Sequence, residues 1–129
     1  MKQVHKQNAG VWLNNNEAKI ITNHSGNGND HYSIQGKLKI RETQASGSEH
    51  SMNSSKRSDM AKYFKSLSIL LLTYDEIFVF GPGKSQEQFH NQLKNDVQFR
   101  NKQITIGSAD QLTDNQMIAM VRDFFKSKQ

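Results

Sequence analysis

The chain has 129 residues, of which 34% are hydrophobic, and carries 17 Lys and Arg against 12 Asp and Glu with no cysteine. A chain of this length reads as one domain, 1–129, that buries roughly two-thirds of its unfolded surface and so needs no metal or cross-link for its core. The missing cysteine excludes a disulfide framework, thiolate metal sites and a thiol nucleophile; the opening MKQVHKQNAGVWL has no apolar segment of signal-peptide length, so a cytoplasmic protein is expected.

Residues 1–9 predict a flexible start. Gly10 to Leu13 and Ala18 to Thr22 are rich in β-branched and aromatic residues, and the Asn14-Asn15-Asn16-Glu17 joint between them has turn chemistry, which predicts a hairpin. After the polar stretch NHSGNGNDH, Ser33 to Glu42 places Ile34, Leu38 and Ile40 on one face and Lys37, Lys39 and Arg41 on the other. That pattern predicts a third strand, half buried, with a cationic outer face. Lysines on such a strand also discourage edge-to-edge aggregation.

Thr43 to Ser58, TQASGSEHSMNSSKRS, holds six serines and only Ala45 and Met52 as apolar side chains, so 43–58 reads as a mobile loop. The net positive charge gathers around it: residues 33–66 carry seven Lys and Arg against three Asp and Glu, whereas residues 67–129 carry seven of each. Such a sector suits contact with nucleic acid, and it equally suits a solvated face that keeps the protein soluble.

Ser58-Asp59 offers an N-cap and a first-turn acid, and Met60, Tyr63, Phe64, Leu67, Leu70 and Leu71 follow at helical spacing. The longest aliphatic run, Ile69 to Leu72, is far too short to span a bilayer. Glu76 to Phe80 is apolar at both parities after its first residue, as an interior strand covered on both faces requires. Beyond Gly81-Pro82-Gly83, Phe89 and Leu93 lie four apart on a second helix, for which Ser85 with Gln88 forms an alternative cap. Gln103 to Ile106 is a short strand. Thr113 opens a third helix: Gln116 completes a capping box, Leu112 and Met117 are placed as a hydrophobic staple, and Met117, Ile118, Val121, Phe124 and Phe125 form the buried stripe. The order is β-β-β-α-β-α-β-α. It reads as an α/β fold with three leading antiparallel strands, right-handed parallel crossovers behind them and helices on both faces of a mixed sheet.

Gly81-Pro82-Gly83-Lys84-Ser85 resembles half of a phosphate-binding loop. A full loop needs the spacing G-x-x-x-x-G-K-[ST] so that successive N–H groups wrap the phosphates. Here the loop is too short and Pro82 has no N–H to give, so a structural turn is expected, with weak anion contact at Gly83, Lys84 and Ser85 as its functional residue set. The histidines His5, His24, His31, His50 and His90 lack metal-ligand spacing, and no metal or other cofactor is expected. The first strand offers Asn14, Asn15 and Asn16 where a two-metal nuclease needs an acid, and no G-x-S-x-G elbow is present.

Three blocks, GVWLNNNEAKII (10–21), YDEIFVFGPGKSQEQFHNQL (74–93) and ITIGSADQLTDNQMIAMVRDFF (104–125), together resemble small bacterial proteins related to the middle domain of archaeal and eukaryotic peptide-chain release factors and of the rescue factor Pelota. The resemblance implies a ribonuclease-H-like α/β fold. In release factors the loop after the third strand carries Gly-Gly-Gln; the corresponding stretch here, Ala45-Ser46-Gly47-Ser48-Glu49-His50, lacks it. What the resemblance implies is therefore a Pelota-like, non-enzymatic, translation-associated module. Its expected contact with the ribosome or RNA is through Lys37, Lys39, Arg41, Lys56, Arg57, Lys62 and Lys65. The alternatives are a protein-interaction or self-associating domain, and an RNA or RNA-ester hydrolase.

Overall fold

Alternation along the first strand, β1 (Asn8–Leu13), sends Ala9, Val11 and Leu13 to one face of a sheet and Gly10 and Trp12 to the other, and both sets are buried. The computed structural model describes residues 7–23, 31–41 and 49–128. In chain order the remaining elements are β2 (Glu17–Thr22), β3 (Ser33–Lys39), α1 (Glu49–Leu70), β4 (Glu76–Phe80), α2 (Ser85–Lys94), β5 (Gln103–Ile106) and α3 (Asp114–Lys126). The strands form one mixed sheet in the order β3-β2-β1-β4-β5, antiparallel between β3, β2 and β1 and parallel between β1, β4 and β5. This is the ribonuclease-H-like α/β arrangement.

Two cores result. On one side of the sheet Ala9, Val11, Leu13, Ile77 and Val79 pack against Tyr63, Phe64, Leu67 and Leu71 of α1 and Phe89 and Leu93 of α2. On the other side Trp12, Ile21, Phe78 and Phe80 pack against Met117, Val121 and Phe125 of α3. Fully burying an aliphatic or aromatic side chain contributes about 1.5–3 kcal/mol, and β4 buries four of them, Ile77, Phe78, Val79 and Phe80. Gly10 lets α3 approach closely, because a Cβ there would overlap the branches of Val121.

The caps of α3 form as the sequence predicts. Thr113 Oγ1 accepts from the Gln116 N–H, the Gln116 side chain accepts from the Thr113 N–H, and Leu112 and Met117 both lie in the α3 core. At the other end Lys128 Nζ meets the buried Glu76 carboxylate at 2.6 Å, tying the end of α3 to the start of β4.

Several expectations are corrected. Helix α1 begins at Glu49 rather than at Ser58-Asp59, so residues 49–58 are helical and not part of a mobile loop; residues 42–48 lie outside the described residues. The early turns carry no apolar stripe to mark them in the sequence; Lys56, Arg57 and Ser58 are all exposed, and such a segment needs only tolerable helix propensity. Leu70 is 48% exposed, since Leu67 and Leu71 already occupy the sheet-facing azimuth. Residues 7–9 are not a flexible start: Asn8 and Ala9 belong to β1, and the Gln7 carbonyl accepts from the N–H groups of Asp75 and Glu76. Residues 1–6 lie outside the described residues.

Ile34 does not share a face with Leu38 and Ile40. The register runs Ile20↔Gly36 and then Ile21↔Ile34, so Gln35 is the extra residue of a β-bulge, which reverses the side-chain parity along β3. Ile34 packs on the α3 side, Leu38 and Ile40 on the α1 side. Unforeseen in the sequence is a 3-10 turn, Val97–Phe99, capped by the Asp96 side chain and placing Phe99 in the α1 core.

Candidate nucleic-acid interface

Lys37, Lys39 and Arg41 are exposed on or just beyond β3, at the edge of the sheet. Lys37 lies opposite Lys19 of β2, and Lys39 opposite Glu17. Residues directly opposite in an antiparallel pair share a face. Lys19 Nζ reaches the Asp114 carboxylate of α3 at 2.6 Å, so Lys37 and Lys39 lie on the α3 side. The Asp114 carboxyl is held below its usual range, first by the hydrogen bond from Lys19, against some desolvation, and then by the charges of Lys19 and Lys37. A depressed carboxyl contributes stability above its unfolded value, and that contribution is lost as the pH falls through its folded value; with Asp114 about half exposed the effect is small.

Lys56, Arg57, Lys62 and Lys65 are exposed on α1, which covers the opposite face. The Tyr63 hydroxyl donates to the Asn14 carbonyl at 3.2 Å, which sets this part of α1 at the carboxyl end of β1. Burial, with help from the Glu17 charge, pushes the Tyr63 hydroxyl upward, so it stays protonated as the donor. The cations expected in one basic patch are therefore two groups, on opposite faces of the sheet, and Lys56 and Arg57 sit on a helix rather than in a loop. The bulge needed the pairing of β3 with β2 to be seen.

The Gly-Pro-Gly turn lies at the carboxyl end of β4. Gly81 is there for space: a Cβ would overlap the Leu13 carbonyl oxygen, while the Ala109 N–H donates to the Gly81 carbonyl at 2.9 Å. Gly83 has open space around its Cβ position. Neither glycine has a left-handed φ. Ser85 does not cap α2, whose N-cap is Lys84 with no side-chain cap bond; its buried hydroxyl instead donates to Asn15 Oδ1 across to the β1–β2 turn. Gln86, buried beside it, has its Oε1 without a partner, 3.3 Å from the place a Gly81 Cβ would take. Gly83 and Lys84 face solvent while Ser85 faces inward, so the three do not converge on one anion. Lys84→Ala is accordingly expected to leave the melting temperature unchanged, and ATP or GTP with Mg²⁺ to produce no melting shift. A saturable shift lost in the variant would count against this.

Among the described residues no three His, Asp or Glu side chains gather as metal ligands, and no helix is long and apolar enough to cross a membrane. His5 and His24 lie outside the described residues; His31 is exposed and His90 half buried.

No protein-family model and no curated protein matches this sequence. Solved structures do match. An archaeal translation termination factor superposes over 95% of this chain with a TM-score of 0.52 and 11% identity, covering 39% of its own length. Pelota from Archaeoglobus fulgidus superposes over 97% of this chain with a TM-score of 0.60 and 11% identity, covering 35% of its own length. A further archaeal protein matches over 95% of this chain, at a TM-score of 0.52 and 12% identity, and over 38% of its own. The chain thus spans well under half the length of the structures it matches, and at these identities the likeness is one of fold.

Proposed function

We propose that this domain is a non-catalytic, translation-associated module that contacts ribosomal or other RNA along the β3 edge. The observation that carries the reading is the exposure of Lys37 and Lys39 on the α3 face, of Arg41 just beyond them, and of Lys56, Arg57, Lys62 and Lys65 on α1. Exposed cationic surfaces of this kind suit phosphate backbones, which attract Lys and Arg irrespective of sequence. The fold likeness to a translation termination factor and to Pelota supports the setting. The absence of Gly-Gly-Gln, and of an acid at Asn14 to Asn16, supports a binding rather than a hydrolytic role.

The test is RNA affinity as a function of salt. Replacing Lys37, Lys39 and Arg41 together by Gln is expected to weaken binding across unrelated RNA sequences. The slope of log K against log salt should flatten by roughly 0.7 for each single-strand phosphate that is no longer neutralised. Replacing Lys56, Arg57, Lys62 and Lys65 should lower it again, because these cations act from the other face. The fold should survive both changes, since exposed substitutions of this kind alter stability by about 0.5 kcal/mol or less. Sedimentation of tagged protein from native lysate at low and high salt then asks whether it travels with ribosomal particles. Retained binding with unaltered slopes would assign the charge to solubility and edge protection.

A further inference from the structure

The two edges of the sheet are built differently. β3 exposes Lys37 and Lys39, is followed by exposed Arg41 and is bulged at Gln35, and each of these devices discourages pairing with another strand. β5 has none of them. Gln103-Ile104-Thr105-Ile106-Gly107-Ser108 is uncharged, and the charged residues nearest in the chain are Lys102 and Asp110. Lys102 is already engaged, donating to the Leu72 and Tyr74 carbonyls at 2.8 and 2.7 Å. Ile106 is 38% exposed at this edge.

The backbone that follows β4 is longer than β5 itself. The Gln103 N–H donates to the Asp75 carbonyl at 3.0 Å, Gly107 to Val79 at 2.8 Å and Ala109 to Gly81 at 2.9 Å. Odd-numbered residues from 103 to 109 therefore turn their backbone groups toward β4. By alternation Ile104, Ile106 and Ser108 direct N–H and C=O away from the sheet. The Ile104 side chain packs on the α1 side, so Ile106 shares that side and Thr105 takes the other.

These parities restrict the strand that could be added. An antiparallel neighbour must place same-face residues opposite one another and must exchange its bonds with the outward-directed groups. A second copy of β5 meets both conditions about a two-fold axis normal to the sheet through Thr105. Ile104 then lies opposite Ile106 of the copy, each pair exchanging two backbone bonds, and Thr105 lies opposite its own mate. β-branched cross-strand pairs of this kind are favourable, and no charge in the strand meets its own image.

We propose that the β5 edge is a self-association surface, where two copies of this chain join antiparallel through Thr105 into one continuous sheet. The proposal is independent of the RNA reading, because β3 lies at the far edge of the sheet from β5. A contact of one short ribbon falls at the small end of specific interfaces, so the dimer forms with rising concentration rather than being obligate.

The chain without substitutions should sediment at 14.8 kDa when dilute and approach twice that mass toward millimolar concentration. Ile106→Lys should remain monomeric throughout while keeping the parent melting temperature when dilute. The chain has no cysteine, which permits a positional test. Directly opposed residues of a non-hydrogen-bonded antiparallel pair have Cα atoms about 4.5 Å apart, within disulfide range, so Thr105→Cys should cross-link to its mate under mild oxidation. Gln103→Cys, which would face Gly107 of the copy, should not. A monomer at every concentration, a dimer that persists in Ile106→Lys, or equal cross-linking at 103 and 105 would overturn the proposal. So would a strand from a different protein occupying this edge in place of the copy.

Discussion

Val79→Asp is expected to leave no cooperatively folding protein, and Phe80→Asp to do the same from the opposite side of the sheet. β4 lies between β1 and β5, and both side chains are completely buried, Val79 against the α1–α2 core and Phe80 against α3, where it also neighbours the stacked ring of Phe78 at 4.9 Å. Among the described residues both cores are built of apolar side chains, so an ionised carboxylate would be buried unpaired. That costs at least several kcal/mol, against a total stability of about 5–15 kcal/mol for a domain of this kind. The measurements are yield of soluble protein and a thermal melt by circular dichroism. If either variant melts like the parent, β4 is an edge strand and the topology is wrong.

Gly81→Ala is expected to destabilise strongly, and Gly83→Ala to be neutral or slightly stabilising, although the two positions flank one proline. At Gly81 the obstacle is the Leu13 carbonyl oxygen, part of the β1 backbone, which is held on one side by β2 and on the other by β4. A flexible side chain could swing aside; a strand in mid-sheet cannot without breaking ladder bonds. The expected loss is about 3 kcal/mol, at the upper end of ordinary overpacking. At Gly83 an added Cβ meets nothing within 4 Å and the backbone is not left-handed, so Ala restricts only the unfolded chain, worth about 0.4–1 kcal/mol in favour of folding. Chemical denaturation of the pair decides it. Equal losses at both positions would mean that the turn works through its backbone angles after all.

Local pattern was sufficient for the elements that bury a regular face. The two-sided apolar character of Glu76 to Phe80, the box and staple at Thr113 and the stripe down to Phe125 each depend on residues within a few positions of one another, and each stands in the structure as the sequence predicts. Element order followed from the same signals. The blocks at 10–21, 74–93 and 104–125 also carried the likeness to release-factor and Pelota domains that the structural comparison shows.

What the sequence could not decide is wherever one segment answers to another far along the chain. The extra residue at Gln35 exists only relative to β2, and it alone moves Ile34 to the α3 side. The early turns of α1 carry no apolar stripe in the sequence, so no period marks them. Gly81 is a glycine because of Leu13, and Ser85 turns inward because of Asn15; in both cases the partner comes from the β1–β2 hairpin. For the candidate interface, the sequence by itself determined which cations are present and that Lys37, Lys39 and Arg41 would be exposed. The tertiary structure alone decided that those of β3 and those of α1 stand on opposite faces, because a helix that crosses from an edge strand to an interior one must choose a side, and its own residues do not state which.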